Sequence, residues 1–378
     1  FLNQYIFNPE PNKQYPKPDI WVQITIPNEF MPQGHYNIGI TAGIESTVAP
    51  VDWVEGCNRM DLVLGSSKHT IDVLKSSKFQ KRDNQTQQLV ANVELNTKTD
   101  ILFEGLNLDT YKPIDSTLDL SDIKESFCYL FVGTWIQGDF GHDRKNIGVL
   151  IKSFLETFKN KQQKPALILK TSHSGVSYVD RDLILSKIEE IKKTVKGKLP
   201  NVYLLHGDFS NSEINELYNH KKVKAMISLT KGEGFGRPLL EFTQVKKPII
   251  ASGWSGHIDF LKPDMSILLP GILGQVHKSA QNKWLIEGSQ WFDVDIMTLN
   301  KVLKDTYKKY KTYIPNARRQ ATYARDNFSY EKMKEKLDII LEDNVVSPPK
   351  QVELKLPKLK EISNPKPTEQ KLPKLQKI

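Results

Sequence analysis

The sequence contains few cysteines and no long apolar run. Cys57 and Cys128 are the only two cysteines in 378 residues, and neither belongs to a Cys-x-x-Cys pair. This excludes a disulfide-stapled scaffold and offers no zinc-ligand spacing, so we predict a protein of a reducing, cytoplasmic compartment. Apolar stretches such as 265–273 are interrupted by proline or glycine. They are much shorter than the roughly 18 residues of a membrane-spanning helix, and no such helix is predicted.

The net charge of +9 is concentrated at the end of the chain. Segment 347–378 carries eight lysines and three glutamates. Its surplus of five positive charges is more than half of the net charge of the chain. Its six prolines and repeated Lys-Leu-Pro-Lys-Leu predict a flexible basic tail. The tail is either simply solvated or docks on a protein partner or an acidic membrane surface. The remaining charge suits an anionic substrate, and no nucleic-acid partner is expected.

Strand-length apolar runs alternate with amphipathic helical stretches, which is the pattern of mostly parallel sheets. Together with the length, this predicts an α/β fold of two Rossmann-like domains that face a cleft. Strands are predicted at 19–26, 36–41, 61–65, 100–103, 130–133, 166–170, 202–205, 225–229 and 248–251. Helices are predicted at 146–159, 181–195, 212–218, 238–245 and 301–343, the last interrupted at Pro315.

The predicted domains follow from this pattern. Residues 1–120 form the first Rossmann-like domain, 121–325 the second, 326–346 a helix that packs back on the first, and 347–378 the tail. The chain begins at Phe1 without a methionine. Because no strand and glycine-rich loop precede Asp19, we expect the first domain to be incomplete at its start.

The segment from Thr230 to Glu241 contains three glycines between a predicted strand and a predicted helix. Glycine lets backbone N–H groups approach a ligand closely, and Pro238 suits the first turn of a helix. These features predict an exposed helix N-terminus that holds phosphate. Glu233 and Glu241 would repel phosphate, so they suit hydroxyl groups instead. The combination indicates a nucleotide sugar, with one glutamate for a hexose and one for a ribose.

Glu233 and Glu241, separated by seven residues, resemble the EX7E motif of retaining GT-B glycosyltransferases, most closely family 4. Several other segments resemble that family and extend the likeness over about residues 19–340. They are Phe131-Val-Gly-Thr134, Arg144-Lys-Asn146, Leu205-His-Gly-Asp208 and Ile250–His257 in the second half, and Asn37–Thr41, Trp53, Cys57-Asn58, Asp61, Ser66-Ser67, Phe103–Leu106 and Tyr111-Lys-Pro113 in the first.

The resemblance implies a transferase that binds a nucleoside-diphosphate sugar in the cleft and uses no metal or other cofactor. A glycan, a lipid-linked group or a protein would be the acceptor, and configuration would be retained. By this likeness Glu233 would meet the hydroxyls of the transferred sugar, and Arg144 and Lys145 would neutralise the leaving diphosphate. The remaining donor-binding candidates are Gly133, Thr134, Lys170, Gly234, Phe235, Gly236 and Glu241, the last at the ribose.

Each candidate also has a plainer interpretation. Arg144 and Lys145 could form a solvated helix start, although cations are unfavourable there unless an anion is near. His206 and His257 stand beside glycine turns and suit structural roles as well as catalysis. His35 and Glu45 lie where the first domain should face the cleft, and Glu45 is the acceptor-side candidate.

Three rival functions remain. A glycosidase would also use two carboxylates, but the phosphate-binding features would then have no purpose. Asp293-Val-Asp295 is a DxD triplet and suggests a metal-dependent GT-A transferase, although its place before a helix favours capping. The third rival is a GT-B-shaped binding or structural component of an assembly, with weak or no transferase activity.

Overall fold

The computed structural model describes residues 16–83, 85–86 and 88–345. The predicted basic tail and residues 1–15 of the predicted first domain lie outside this range. Within it, no helix is long and apolar enough to cross a membrane. The first half of the described chain contains these elements: β1 (Ile20–Ile24), β2 (Tyr36–Thr41), α1 (Val51–Cys57), β3 (Leu62–Gly65), α2 (Lys68–Ser76), β4 (Phe79–Arg82), β5 (Leu89–Val93) and β6 (Lys98–Ile101).

The second half begins with a regular alternation of strand and helix and ends in helices. Its strands are β7 (Cys128–Val132), β8 (Ala166–Lys170), β9 (Val202–Leu205), β10 (Val223–Ser228), β11 (Ile249–Ser252), β12 (Ile267–Leu269), β13 (Gly271–Gln275) and β14 (Gln290–Val294). Its helices are α3 (Ile147–Phe158), α4 (Tyr178–Lys193), α5 (Asn211–Asn219), α6 (Arg237–Thr243), α7 (Ile296–Lys308), α8 (Tyr310–Phe328) and α9 (Tyr330–Asn344).

Two parallel sheets organise the described residues. The first has the order β1-β2-β3-β6. One of its faces is covered by α9, whose Met333, Leu337 and Leu341 pack around Ile38 and Leu62. The side chains of Lys336 on α9 and Asp100 on β6 form an ion pair of 3.0 Å. The C-terminal helix therefore packs on the sheet formed by the first part of the chain.

The second sheet has the order β12-β11-β10-β7-β8-β9 within the described residues. Alternate residues of its strands point to opposite faces, as the pleat requires. Tyr129 and Phe131 of β7 pack with α3, α4 and α7, while Cys128 and Leu130 pack with α5, α6 and α8. Helices on both faces make this a doubly wound α/β sheet, as the sequence predicts.

The sequence predicts one helix over 301–343 that is interrupted at Pro315, and the predicted position of the interruption is wrong. Helix α8 continues through Pro315, and the chain breaks instead at Lys309 and Ser329. Pro315 lies near the start of α8, where the missing N–H removes a single bond close to a helix end. Ser329 accepts a hydrogen bond from the Lys332 backbone N–H and so caps α9.

Two antiparallel hairpins are absent from the sequence prediction. One joins β4 and β5, and the other joins β13 and β14. The second hairpin carries Leu285 and Trp291 into a cluster with residues of the first half, including Phe30 and Trp53. The backbone N–H of Thr47 donates to the Gln290 carbonyl at 2.9 Å. The hairpin therefore joins the two halves of the chain.

Candidate functional site

The order of the second sheet reverses between its central strands, β7 and β10. In doubly wound sheets, ligands bind at the carboxyl ends of the strands at such a point. Gly133 follows β7 directly, and the glycine-rich turn 230–236 follows β10. A Cβ atom placed on Gly133 would lie 3.4 Å from Cε of Lys145. The topology thus brings the predicted glycine turn and the predicted basic pair to one edge.

The glycine-rich turn is buried, and the predicted exposed helix N-terminus is wrong in this respect. A Cβ on Gly232 would lie 1.8 Å from the Glu45 carbonyl oxygen, and one on Gly234 would lie 2.3 Å from that of Ala42. Ser67 Oγ donates a hydrogen bond of 2.5 Å to the Gly234 carbonyl. Segment 42–45 therefore covers the turn, and the absence of side chains at both glycines allows this contact.

Arg144 and Lys145 are nearly buried and form ion pairs, so a solvated helix start is excluded for both. Lys145 Nζ lies 2.5 Å from Glu233 Oε1, and Arg144 Nη1 lies 3.2 Å from Glu233 Oε2. The same Arg144 nitrogen lies 3.4 Å from Glu45 Oε1 and donates to the Gly232 carbonyl at 3.0 Å. Three residues predicted from the EX7E likeness and the acceptor-side candidate thus share one ionic cluster.

Electrostatics keep Glu233 ionised. Burial raises the pKa of this carboxyl group, but the nearby Lys145 ammonium and Arg144 guanidinium have the larger, opposite effect. Together they lower the pKa from its usual value to about 2. The carboxylate of Glu233 faces these two cations. At neutral pH the cluster therefore contains a carboxylate that accepts hydrogen bonds and two cations that can stabilise a second anion.

Glu241 lies in a different environment on α6. Its Oε2 accepts a hydrogen bond of 3.4 Å from the Tyr218 hydroxyl, and its Oε1 lies 3.4 Å from Arg237 Nη2. Burial raises the pKa of Glu241, although Arg237 and the hydroxyls of Tyr218 and Tyr111 oppose this effect. Arg237 also lies 3.7 Å from Glu104. The two motif glutamates therefore differ in charge balance, and only Glu233 has two cationic partners.

The other donor-side candidates are placed less uniformly. Lys170 Nζ donates to the Gly207 carbonyl at 2.7 Å and lies 4.6 Å from the Phe209 ring centre, which directs it to the end of β9. Thr134 is exposed. The Phe235 ring is buried against Phe260, so only the backbone of this residue faces the turn. Gly236 adopts a φ of 99°, a conformation that favours glycine.

His206 has a structural position, whereas His35 does not lie where the sequence predicts. His206 Nε2 lies 2.9 Å from Asp180 Oδ2, and Asp180 also accepts bonds from the backbone N–H groups of His173 and Ser174. His35 is exposed and precedes β2, which places it at the amino end of that strand, away from the carboxyl edge where Glu45 follows.

Both aspartates of the DxD triplet interact with other groups of the protein. Asp295 caps α7 by accepting a hydrogen bond of 2.8 Å from the Thr298 backbone N–H, as predicted, and Asp293 pairs with Lys231. No group of three or more histidine, cysteine, aspartate or glutamate side chains that could hold a metal ion occurs in the described part of the chain.

Sequence reasoning missed several residues of the site. Glu104, Ser66 and Lys231 all lie within the segments discussed above, but the sequence assigns none of them a role. Burial raises the pKa of Glu104; Arg237 opposes this effect and the Glu233 charge adds to it. Ser66 Oγ lies 3.3 Å from the Gly234 carbonyl. The signal for Glu104 is its place just after β6, at the carboxyl edge of the first sheet.

The space between these groups is small. A cavity of about 10 Å³ is lined by Lys145, Glu233, Gly236, Val132 and Leu239, among others. A cavity of this size is about the smallest that can hold one water molecule. A sugar therefore does not fit in this cavity.

No protein-family profile and no curated protein sequence matches the chain. Solved structures do match. Sucrose-phosphate synthase from Thermosynechococcus elongatus is similar with a TM-score of 0.56 and 14% identity, over 81% of this chain and 67% of that one. A glycosyltransferase from Rickettsia africae is similar with a TM-score of 0.54 and 15% identity, over 81% and 70% of the two chains.

A third similar structure is the Anabaena protein HepE, determined with UDP and glucose. Its TM-score is 0.52 at 14% identity, over 82% of this chain and 72% of that one. These neighbours are GT-B glycosyltransferases, and the likeness establishes the α/β GT-B fold of the chain. At such low identity the fold is what these comparisons establish.

Proposed function

We propose that the chain is a family 4-like glycosyltransferase that moves a sugar from a nucleoside-diphosphate sugar to a hydroxyl group of a glycan, a lipid-linked group or a protein. One observation carries the proposal: the side chains of Arg144, Lys145 and Glu233 meet at the point where the strand order of the second sheet reverses. Glu233 precedes Glu241 by eight positions, and the two residues lie in the same turn and helix. The resemblance of solved glycosyltransferases, one of them bound to UDP and glucose, supports the substrate class.

In this proposal the basic pair stabilises the departing diphosphate. Breaking the sugar–phosphate bond places negative charge on the leaving oxygen, and Arg144 and Lys145 are already oriented at that edge by Glu233. Glu233, ionised at neutral pH, accepts hydrogen bonds from the sugar hydroxyls, and Glu241 accepts them from the ribose. No metal ion takes part, and the leaving phosphate accepts the proton of the acceptor hydroxyl on the same face, which retains configuration.

Donor binding in this proposal requires movement of segment 42–45 away from the glycine-rich turn. The Ser67–Gly234 hydrogen bond and the Glu45–Arg144 ion pair join the two sides, and both contacts are reversible. When they separate, the cations face an open cleft. A binding cleft between two hinged domains closes again after the donor has entered, and closure excludes water from the reacting bond.

The experiment is a thermal-shift and donor-hydrolysis panel with UDP-, GDP-, ADP- and CMP-sugars, with and without EDTA. A nucleotide at 100 times its dissociation constant should add about 2.7 kcal/mol of stability. Glu241→Gln should abolish the shift, and Glu189→Gln, an exposed charge-matched control on α4, should retain it. A shift that requires a divalent metal would contradict the metal-independent mechanism. Absence of any shift with all four series would contradict the proposal as a whole.

The burial of the glycine-rich turn favours a second candidate, a GT-B-shaped binding component of an assembly. The cavity beside Glu233 is small, and segment 42–45 is fixed on the turn by hydrogen bonds and an ion pair. A protein that never opens would bind no nucleotide. The same panel separates the two candidates, because the binding component would show neither stabilisation nor hydrolysis even when Glu45→Gln removes the ion pair.

A further inference from the structure

Nδ1 of His257, next to the glycine-rich turn, is among the described buried polar atoms that have no hydrogen-bond partner. The residue is fully buried. Its Nε2 lies 2.6 Å from the Ser252 carbonyl oxygen. Because a carbonyl only accepts hydrogen bonds, Nε2 must carry the hydrogen. Burial lowers the pKa of His257, so the ring is neutral and Nδ1 presents a free lone pair.

The neighbours of this ring belong to the proposed sugar site. The charges of Glu233 and Lys145 both act on His257. A Cβ placed on Gly236 would lie 3.0 Å from the His257 Cβ and 3.7 Å from the Glu233 Cγ. Gly236 therefore lies close to both side chains, and no side chain of its own stands between them. In addition, the backbone N–H of Gly256 donates to the Glu233 carbonyl at 2.9 Å.

An unpaired buried acceptor costs free energy, and such groups in native proteins call for an explanation. The missing partner must donate a hydrogen bond, since Nδ1 has only a lone pair to offer. A fully ionised diphosphate has no hydrogen to donate, whereas a sugar has several hydroxyl groups. Because the neighbouring Glu233 is the residue proposed to meet those hydroxyls, the partner that fits this position best is a second hydroxyl of the same sugar.

We propose that His257 is a sugar-binding residue, whose Nδ1 accepts a hydrogen bond from a hydroxyl group of the transferred sugar. This inference rests on the proposed function and assigns one more contact within it. His257 then has two tasks: its Nε2–H fixes the chain at Ser252, beside the glycine-rich turn, and its Nδ1 adds to the recognition of the sugar.

Two substitutions separate these tasks. In His257→Gln, the side-chain amide nitrogen can occupy the position of Nε2 and keep the bond to Ser252, while the acceptor at the Nδ1 position is lost. In His257→Asn, a polar atom remains at the Nδ1 position, while the bond to Ser252 is lost. The readout is the ratio of the affinities for UDP-glucose and for UDP, measured by calorimetry and repeated with GDP-mannose and GDP. Melting temperatures of both variants monitor folding.

We expect Gln to reduce the affinity ratio about five- to tenfold, as the loss of one hydrogen bond predicts, and Asn to keep it within about twofold. The melting temperature should respond in the opposite order, because only Asn loses the Ser252 bond. An unchanged ratio in Gln, or an equal loss in both variants, would overturn the inference and leave His257 a structural residue. If the wild-type chain binds neither nucleoside diphosphate nor nucleotide sugar, the proposed function itself fails, which is a different result.

Discussion

The guanidinium group of Arg144 lies 3.4 Å from the carboxylate of Glu45, and this ion pair connects the loop after β2 with the basic pair of the second sheet. The same guanidinium also contacts Glu233 at 3.2 Å. A cation proposed to hold the diphosphate is thus already neutralised by two carboxylates, one from each side of the cleft. Anything that binds Arg144 as an anion must compete with Glu45.

Glu45→Gln should therefore increase the affinity for a nucleoside diphosphate. Partly exposed ion pairs contribute about 0.2–1 kcal/mol, which corresponds to a gain of roughly 1.4- to fivefold. Titration calorimetry with UDP or GDP measures it. The control is Glu55→Gln, which removes the exposed pair with Lys81 in the same half of the chain and should leave the affinity unchanged. A weaker affinity in Glu45→Gln would show that this carboxylate contacts the ligand instead of competing with it.

Glu233→Gln should destabilise the fold by about 3–5 kcal/mol at neutral pH, because it leaves the buried Lys145 ammonium without its closest counter-charge. Urea unfolding monitored by tryptophan fluorescence gives this value. The double variant Lys145→Met with Glu233→Gln should recover part of the loss, since it removes both charges. Equal stabilities of the wild type and the single variant would rule out a buried ion pair.

The same pair makes a prediction about pH. The pKa of Glu233 is lowered from 4.5 to about 2 in the folded chain, so the unfolded chain binds more protons between these values. Its stabilisation is complete above pH 4.5 and is lost as the pH falls towards 2. The difference in unfolding free energy between the wild type and Glu233→Gln should shrink over this window. A difference that is constant between pH 6 and 3 would contradict the lowered pKa.

Glu241→Gln should behave differently from Glu233→Gln, although both residues belong to the same motif. Burial raises the pKa of Glu241, so ionisation of this carboxyl disfavours the folded chain, and its stability decreases as the pH rises above 4.5. A neutral amide removes this cost. We expect an unfolding free energy at pH 7 within about 1 kcal/mol of the wild type or above it. A loss as large as that of Glu233→Gln would show that the carboxylate is needed for folding.

Gly232→Ala should separate the two sides of the cleft, because the added methyl group would lie 1.8 Å from the Glu45 carbonyl oxygen. Overpacking of this kind costs about 1–3 kcal/mol. The melting temperature should fall by several degrees in a differential scanning measurement. Gly175→Ala is the matched control, since nothing lies within 4 Å of its added methyl group. Equal melting temperatures of the two variants would mean that segment 42–45 does not rest on the turn.

Local patterns in the sequence predict much of the fold. Strand β2 is predicted at both ends, because an apolar run of strand length is bounded on each side by a glycine-containing turn. Strand β6 is predicted two residues late, because the apolar residues Ile101–Phe103 indicate a strand by composition. In the structure the strand begins at the polar Lys98, which pairs with Leu62 of β3. The hairpin of β13 and β14 is not predicted, since its pairing joins residues separated by a long insertion and depends on contacts with the first half.

The sequence predicts which residues belong to the candidate site, but it does not predict which of them form ion pairs with each other. The spacing of Glu233 and Glu241 and the neighbouring basic residues are visible in the sequence. The ion pair between Glu233 and Lys145 is not, because it depends on the neighbouring places of β7 and β10 in the sheet. Glu104 was missed for the same reason: only the folded chain brings it next to Arg237.

The hairpin of β13 and β14 also bears on how the chain folds during synthesis. Trp53 lies 5.5 Å from Trp284 between ring centres, and Trp291 packs in the same cluster. The ribosome delivers Trp53 long before either of these partners, since domains emerge from the N-terminus. Until the hairpin has left the exit tunnel, the first sheet has an unfinished apolar surface. Chaperones that shield such surfaces should therefore bind nascent chains that end before residue 284 and release chains that extend beyond the hairpin.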